Sequence, residues 1–155
     1  MISNKSGDKP YTINSIKNLM NHFELSDNEF EEQFSTCKLN PPTFTHEAHL
    51  RLAWIHINKY GINRAIDNIC CQLQNFVKSI GASDKYNATV TVAAVRAVYH
   101  FILKSKTDNF LSFIDENPRL KNNFRELLGY HYTTDIFKSE QARITYLEPE
   151  LLPFD

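Results

Sequence analysis

The sequence predicts an all-α protein, a single compact bundle of about six helices with an irregular C-terminal tail. Three observations lead to that class. Ile62, Ile66, Ile69, Leu73, Phe76 and Ile80 recur by fours and threes without a miss, the spacing of one helix face. Gly61 and Gly81 bracket this run, where left-handed stops are expected. The stretch "NATVTVAAVRAVYHFILKS" is rich in β-branched residues, but its 19 residues are too many for an ordinary strand and predict a helix instead.

Residues 1–10 are polar and read as a disordered leader, which leaves 11–155 as one helical domain. Ile13, Ile16, Met20 and Phe23 space a short amphipathic helix. In "SDNEFEEQF", Ser26 and Glu29 have capping-box spacing, and the helix they open should bury Phe30 and Phe34. Pro41 and Pro42 end it. Thr45 is the expected N-cap of a helix reaching about Tyr60. Asp108 is the expected cap of a short helix through "NFLSFIDE", and Asn117–Pro118 opens another that runs to Gly129. The tail begins with a helical turn or two and then extends, because Pro149 and Pro153 forbid a long helix.

Composition narrows the function classes. With 42% hydrophobic residues, including 11 Phe and 7 Tyr, the 155-residue chain can bury a core. Seventeen basic and 18 acidic residues give a net charge of −1 and no basic stripe, so a nucleic-acid partner is not expected. Cys37, Cys70 and Cys71 make a poor disulfide framework and predict reduced thiols, with Cys70 in the core. "MISNKSGDKPY" lacks a signal-peptide apolar stretch, and "VTVAAVRAVYHFIL" is too short and polar to span a bilayer. These features predict a cytoplasmic protein without a membrane partner; they do not specify an oligomeric state.

Chemistry concentrates in "FTHEAHLRLAW", where His46 and His49 lie one turn apart at a helix start. On a helical wheel Leu50, Ala53, Trp54, Ile57 and Tyr60 gather on one side, and Glu47, Arg51, Asn58 and Lys59 away from it. His46 falls within the apolar arc, and His49 and His56 at its flank. An inward imidazole needs a hydrogen-bond partner or a metal. Three readings follow: a polar ligand pocket, structural capping, or a metal site. The spacing "HEAH" differs from the H-E-x-x-H of zinc proteases, and a catalytic zinc wants a third ligand. In the helix after Tyr86, Thr89, Arg96 and His100 form a polar stripe with Ala93 as its gap, while Asn87 and Thr91 share another side. The stripe either faces solvent or lets Arg96 clamp a carboxylate or phosphate. "NEFEE" and "EPE" read as solvated acidic faces, and His22 and His131 as surface residues. No glycine-rich phosphate loop, nucleophile elbow or C-x-x-C pair is present.

The order "EFEEQFSTCKLNPPTFTHEAHLRLAW", "GASDKYNATVT" and "ARITYLEPELLPFD" resembles a family of small uncharacterised bacterial all-helical proteins. Its pattern is W/F-T-H-x-x-H-L, then Y-H-x-T-x-T, then a tail of the form A-R…P…L-P. The resemblance covers roughly residues 27–155 and implies a pattern, not an activity. His46, His49, Tyr86, Thr89 and Thr91 match it, but Asn87 stands where many members have histidine. An amide is a poor ligand for soft or borderline metals, so this departure weakens a metal site.

The leading expectation is a pocket for a small polar ligand or substrate. His46 and His49 would serve as donors or acid–base groups, and Trp54, Tyr86, Asn87, Thr91 and Arg96 as the ligand-binding set. No cofactor is predicted. The alternatives are a non-catalytic interaction domain with structural histidines and an enzyme holding a divalent metal through His46 and His49.

Overall fold

The computed structural model describes residues 21–155. The leader and most of the helix expected over 13–23 lie outside the described residues. Among those described there are eight α-helices, three short 3-10 turns and no strand, so the all-α bundle holds with more pieces than the six expected. No described helix is long and apolar enough to cross a membrane.

Helix α1 (Asp27–Ser35) opens on the expected capping box: Ser26 Oγ accepts from Glu29 N–H, and the Glu29 carboxylate accepts from Ser26 N–H at 2.9 Å. Helix α2 (His46–Tyr60) is capped by Thr45, whose hydroxyl accepts from Ala48 N–H. Gly61 at φ 81° then turns the chain into α3 (Ile62–Ser79). Helix α4 (Ala88–Ile102) follows a 3-10 turn at Ser83–Lys85. Helices α2, α3 and α4 pack against one another and form the centre of the bundle. Helix α5 (Phe110–Glu116) is capped by Asn109, not Asp108: the Asn109 side chain accepts from Ser112 N–H at 2.9 Å.

The helix expected over 118–129 is two, α6 (Pro118–Asn122) and α7 (Phe124–Gly129), parted where Asn123 leaves the helical region at φ −131°, ψ 34°. The Leu120 carbonyl, the i−4 acceptor for Phe124 in an unbroken helix, receives a hydrogen bond from His46 instead. Leu120, Leu127 and Leu128 all reach the core from this broken segment. Helix α8 (Glu140–Ile144) packs on α4, and the chain then runs extended.

Helix α2 is the enclosed element. Every residue from Leu50 to Ile57 is buried, including Arg51 and His56. The wheel assigns Arg51 to an outer face, but α1 and the preceding turn cover that face. Arg51 donates to the His22 carbonyl at 2.6 Å, to the Leu25 carbonyl at 2.8 Å and to Asp27 Oδ1 at 2.9 Å. His22, expected at the surface, is buried beside it and donates from Nε2 to Glu47 at 3.0 Å. Glu47 also pairs with Lys121 at 2.8 Å. The acidic face of α1 is likewise not wholly solvated, since Glu31 accepts from Lys59 and Tyr60.

The C-terminal tail lies over the polar stripe on α4, with His100 at its end still partly exposed. Thr89 is fully buried, donates to the Thr145 carbonyl at 2.9 Å and accepts from Leu147 N–H at 3.0 Å. Arg96 is half-buried and hydrogen-bonds Tyr146, while His100 pairs with Asp155 and Lys104. Tyr132 holds the tail by donating to the Leu147 carbonyl at 2.9 Å. His131, half-buried rather than at the surface, donates to the Leu152 carbonyl at 2.7 Å and stacks on Phe154.

Two substitutions test this framework by urea denaturation. Arg51→Met leaves two buried carbonyls and Asp27 without their donor and should cost on the order of 3 kcal/mol. Thr89→Val strips both tail hydrogen bonds and should cost about 1–3 kcal/mol.

Candidate ligand cavity

The N-terminal turn of α2, the C-terminal turns of α3 and the N-terminal turns of α4 meet at one end of the bundle and leave a cavity of about 370 Å³ between them. This lies within the size range of small-molecule sites. The α3 stripe explains much of its wall. Ala65, Ile69 and Phe76 are buried as its period requires, but Leu73, Val77 and Ile80 border the void, and Ile80 is exposed. Phe44, Phe124 and Phe137 join from the connecting segments. The lining is therefore predominantly apolar, which corrects the expectation of a polar pocket.

His46, His49, Asn87 and Thr91 do converge on this cavity. His46 lies at its edge, with Nε2–H donating to the Leu120 carbonyl at 3.0 Å and the ring tilted against Phe124. Because a carbonyl can only accept, Nε2 carries a proton, and in the neutral ring Nδ1 keeps a lone pair. Asn87 is the N-cap of α4: its Oδ1 accepts from Val90 N–H at 2.9 Å, and its Nδ2 donates to the Ile136 carbonyl at 2.8 Å. Both ends of the amide are engaged in holding the fold. The Thr91 hydroxyl donates back to the Asn87 carbonyl at 2.6 Å, leaving only oxygen lone pairs for the cavity.

His49 differs from every other histidine. His22, His46, His56, His100 and His131 each have a hydrogen-bond partner. His49 has none among the described residues; its ring stands edge-on to Phe44, 3.8 Å between centroids, and lines the cavity. The residue is exposed where it borders the void, although protein surrounds the position at longer range. That crowding, with a smaller contribution from His46, lowers its pKa to about 4, so the ring is neutral at physiological pH.

The remaining expected ligands lie elsewhere. Trp54 is buried against Phe110 on another flank of α2, with ring centroids 6.2 Å apart. Tyr86 turns toward α3, where burial, then its hydrogen bond with Cys70, push the phenol above its usual range. Cys70 is half-buried rather than enclosed, and burial raises its thiol in turn. Arg96 points to the tail. These three residues sit on helices that touch the cavity, but on other faces. Conversely, the phenylalanine walls were missed, because Phe44, Phe124 and Phe137 come from turns and short helices without a readable period. No group of three His, Cys, Asp or Glu side chains placed to hold a metal occurs among the described residues. The only signal in the sequence for the cavity itself is the histidine pair beside a helix that needed no polar face there.

Comparison with family models, curated proteins and solved structures finds no match for this chain.

The depressed His49 pKa has a consequence for stability. The unfolded chain takes up a proton near the ordinary histidine value of 6.5, whereas the folded chain resists it down to about 4. The stability His49 confers is therefore complete above pH 6.5, falls as pH drops, and is fully lost below about pH 4. Burial lowers His22 and His56 in the same direction. Replacing His49 by Gln should flatten the fall in Tm between pH 6.5 and 4. An unchanged slope would place its titration at the ordinary value.

Proposed function

We propose that this protein binds a small, largely apolar molecule in the cavity between α2, α3 and α4, with His49 as the group that meets the ligand's polar end. The observation that carries this reading is an imidazole with neither nitrogen partnered among the described residues, lining a void of about 370 Å³. Each of the other histidines has at least one hydrogen-bond partner within the protein. An accessible imidazole beside an apolar wall can exchange its water for a ligand's hydrogen bond.

Binding suits the ring better than proton transfer. A base with a pKa of about 4 removes protons poorly at neutral pH, and no carboxylate hydrogen-bonds His49 to raise it. The ring nevertheless keeps one N–H donor and one lone pair, which is what recognition of a head group requires. In this reading the chain is a variant of the family it resembles, with the capping Asn87 where that family carries a third histidine. His46 and His49 then act without a metal.

A neutral fluorescent probe, N-phenyl-1-naphthylamine, reports the cavity directly. Its emission should rise saturably with one site per chain. Ala94→Phe, which projects a ring into the cavity from α4, should abolish that rise while leaving Tm unchanged or higher. A signal that survives Ala94→Phe at full strength would show that the probe binds elsewhere, and the proposal would fall.

A further inference from the structure

The geometry points to a ligand class for this cavity: an uncharged aromatic compound carrying a hydrogen-bond donor, of the phenol type. The inference rests on the binding role proposed above and concerns what the site selects.

Two features of the cavity specify the ligand. The first is the wall. Phe44, Phe76, Phe124 and Phe137 line it from four different segments, and such faces and edges suit an aromatic guest better than a flexible chain. The second is the hydrogen-bonding balance of the polar groups. With Nε2–H committed to Leu120, neutral His46 has only the Nδ1 lone pair to offer. Thr91 has given its proton to the Asn87 carbonyl and offers lone pairs only. Asn87 commits one N–H and one oxygen lone pair to the fold and keeps a second N–H. His49 offers one donor and one lone pair. Thr91 and neutral His46 can only accept, so a head group that brings a proton complements them.

Charge leads to the same class. An anionic head would need a cation inside the cavity, and His49, held neutral, does not supply one. Lys85 borders the cavity but is exposed, where water screens its charge. A cationic head would meet no carboxylate, since no Asp or Glu lines the void. A neutral hydroxyl on an aromatic ring can donate to the His49 lone pair while its oxygen stays in the open mouth.

Calorimetric titration of the full chain at pH 7.5 with four probes tests this. The matched set is 2-naphthol, 2-methoxynaphthalene, 2-naphthoate and 1-octanol. 2-Naphthol should bind tightest, roughly tenfold better than the methoxy compound, the scale of one hydrogen bond gained over water. The carboxylate and the aliphatic alcohol should bind more weakly still. His49→Leu should bring 2-naphthol down to the affinity of 2-methoxynaphthalene and leave the latter unchanged, whereas Ala94→Phe should block both. Equal binding of naphthol and its methyl ether, or preference for naphthoate or octanol, overturns the ligand class while the cavity keeps its role. Failure of all four probes to bind at millimolar concentration overturns both.

Discussion

The enclosure of α2 governs this structure. From Leu50 to Ile57 the helix has no face left for water, because α1, α3, α4, α5 and α6 all pack on it. A helix buried all round cannot leave its polar residues to solvent, so each must be satisfied by protein. Arg51 gathers the turn at His22–Glu24 and the start of α1 onto α2 through two carbonyls and a carboxylate. His56 receives a long hydrogen bond from Asn68 on α3 and keeps its other nitrogen unpaired. Tail and core are joined by similar means on α4, where one hydroxyl, Thr89, both donates and accepts across to the chain after α8.

The cavity follows from where this enclosure stops. At its N-terminal turn α2 leaves the packed centre, and the surrounding segments diverge. Helix α3 still presents Leu73, Val77 and Ile80 there because its apolar period runs on past the point where partners exist to enclose them. The break between α6 and α7 sets the opposite edge. His46 takes the Leu120 carbonyl, and Phe124 and Phe137 approach from the far side. One imidazole thereby serves as a wall fastener and leaves its neighbour three residues along with nothing to fasten.

Periodicity made much of the fold legible, and failed where contacts between distant segments decide. The α3 stripe, the Ser26–Glu29 box, the Thr45 cap and the Gly61 stop are local and could be read from neighbouring residues. The burial of Arg51 could not, because its partners lie more than twenty residues away. The wheel counted it as a polar, outward residue; the segment at 21–27 then covered it. The same limit misplaced Arg96 as a ligand. A polar stripe on a mostly apolar helix announces a partner, but not whether that partner is solvent, ligand or the protein's own tail. Of the expected site, the residues near helix N-termini (His46, His49, Asn87 and Thr91) were brought together, since helix ends fix direction locally. Trp54 and Tyr86, judged by proximity in sequence, turned to other faces.

Asn87 shows how structural and functional demands divide the cavity's polar groups. A cap at the start of α4 must accept from the amide at Val90, a task for which a short side-chain oxygen is well placed. The same residue also donates to Ile136 and so pins the segment that delivers Phe137 to the wall. The two tasks commit one N–H and one oxygen lone pair of the amide to the fold. Thr91 is in the same position, since its proton closes onto the Asn87 carbonyl one turn back. Each of these hydrogen bonds makes the fold more definite and the cavity less able to donate. What remains is the donor and lone pair of His49, in a neutral ring held by van der Waals contact with Phe44 rather than by a hydrogen bond. A ring fixed by packing keeps its orientation when its nitrogens are empty, so it is already placed for a guest before one arrives.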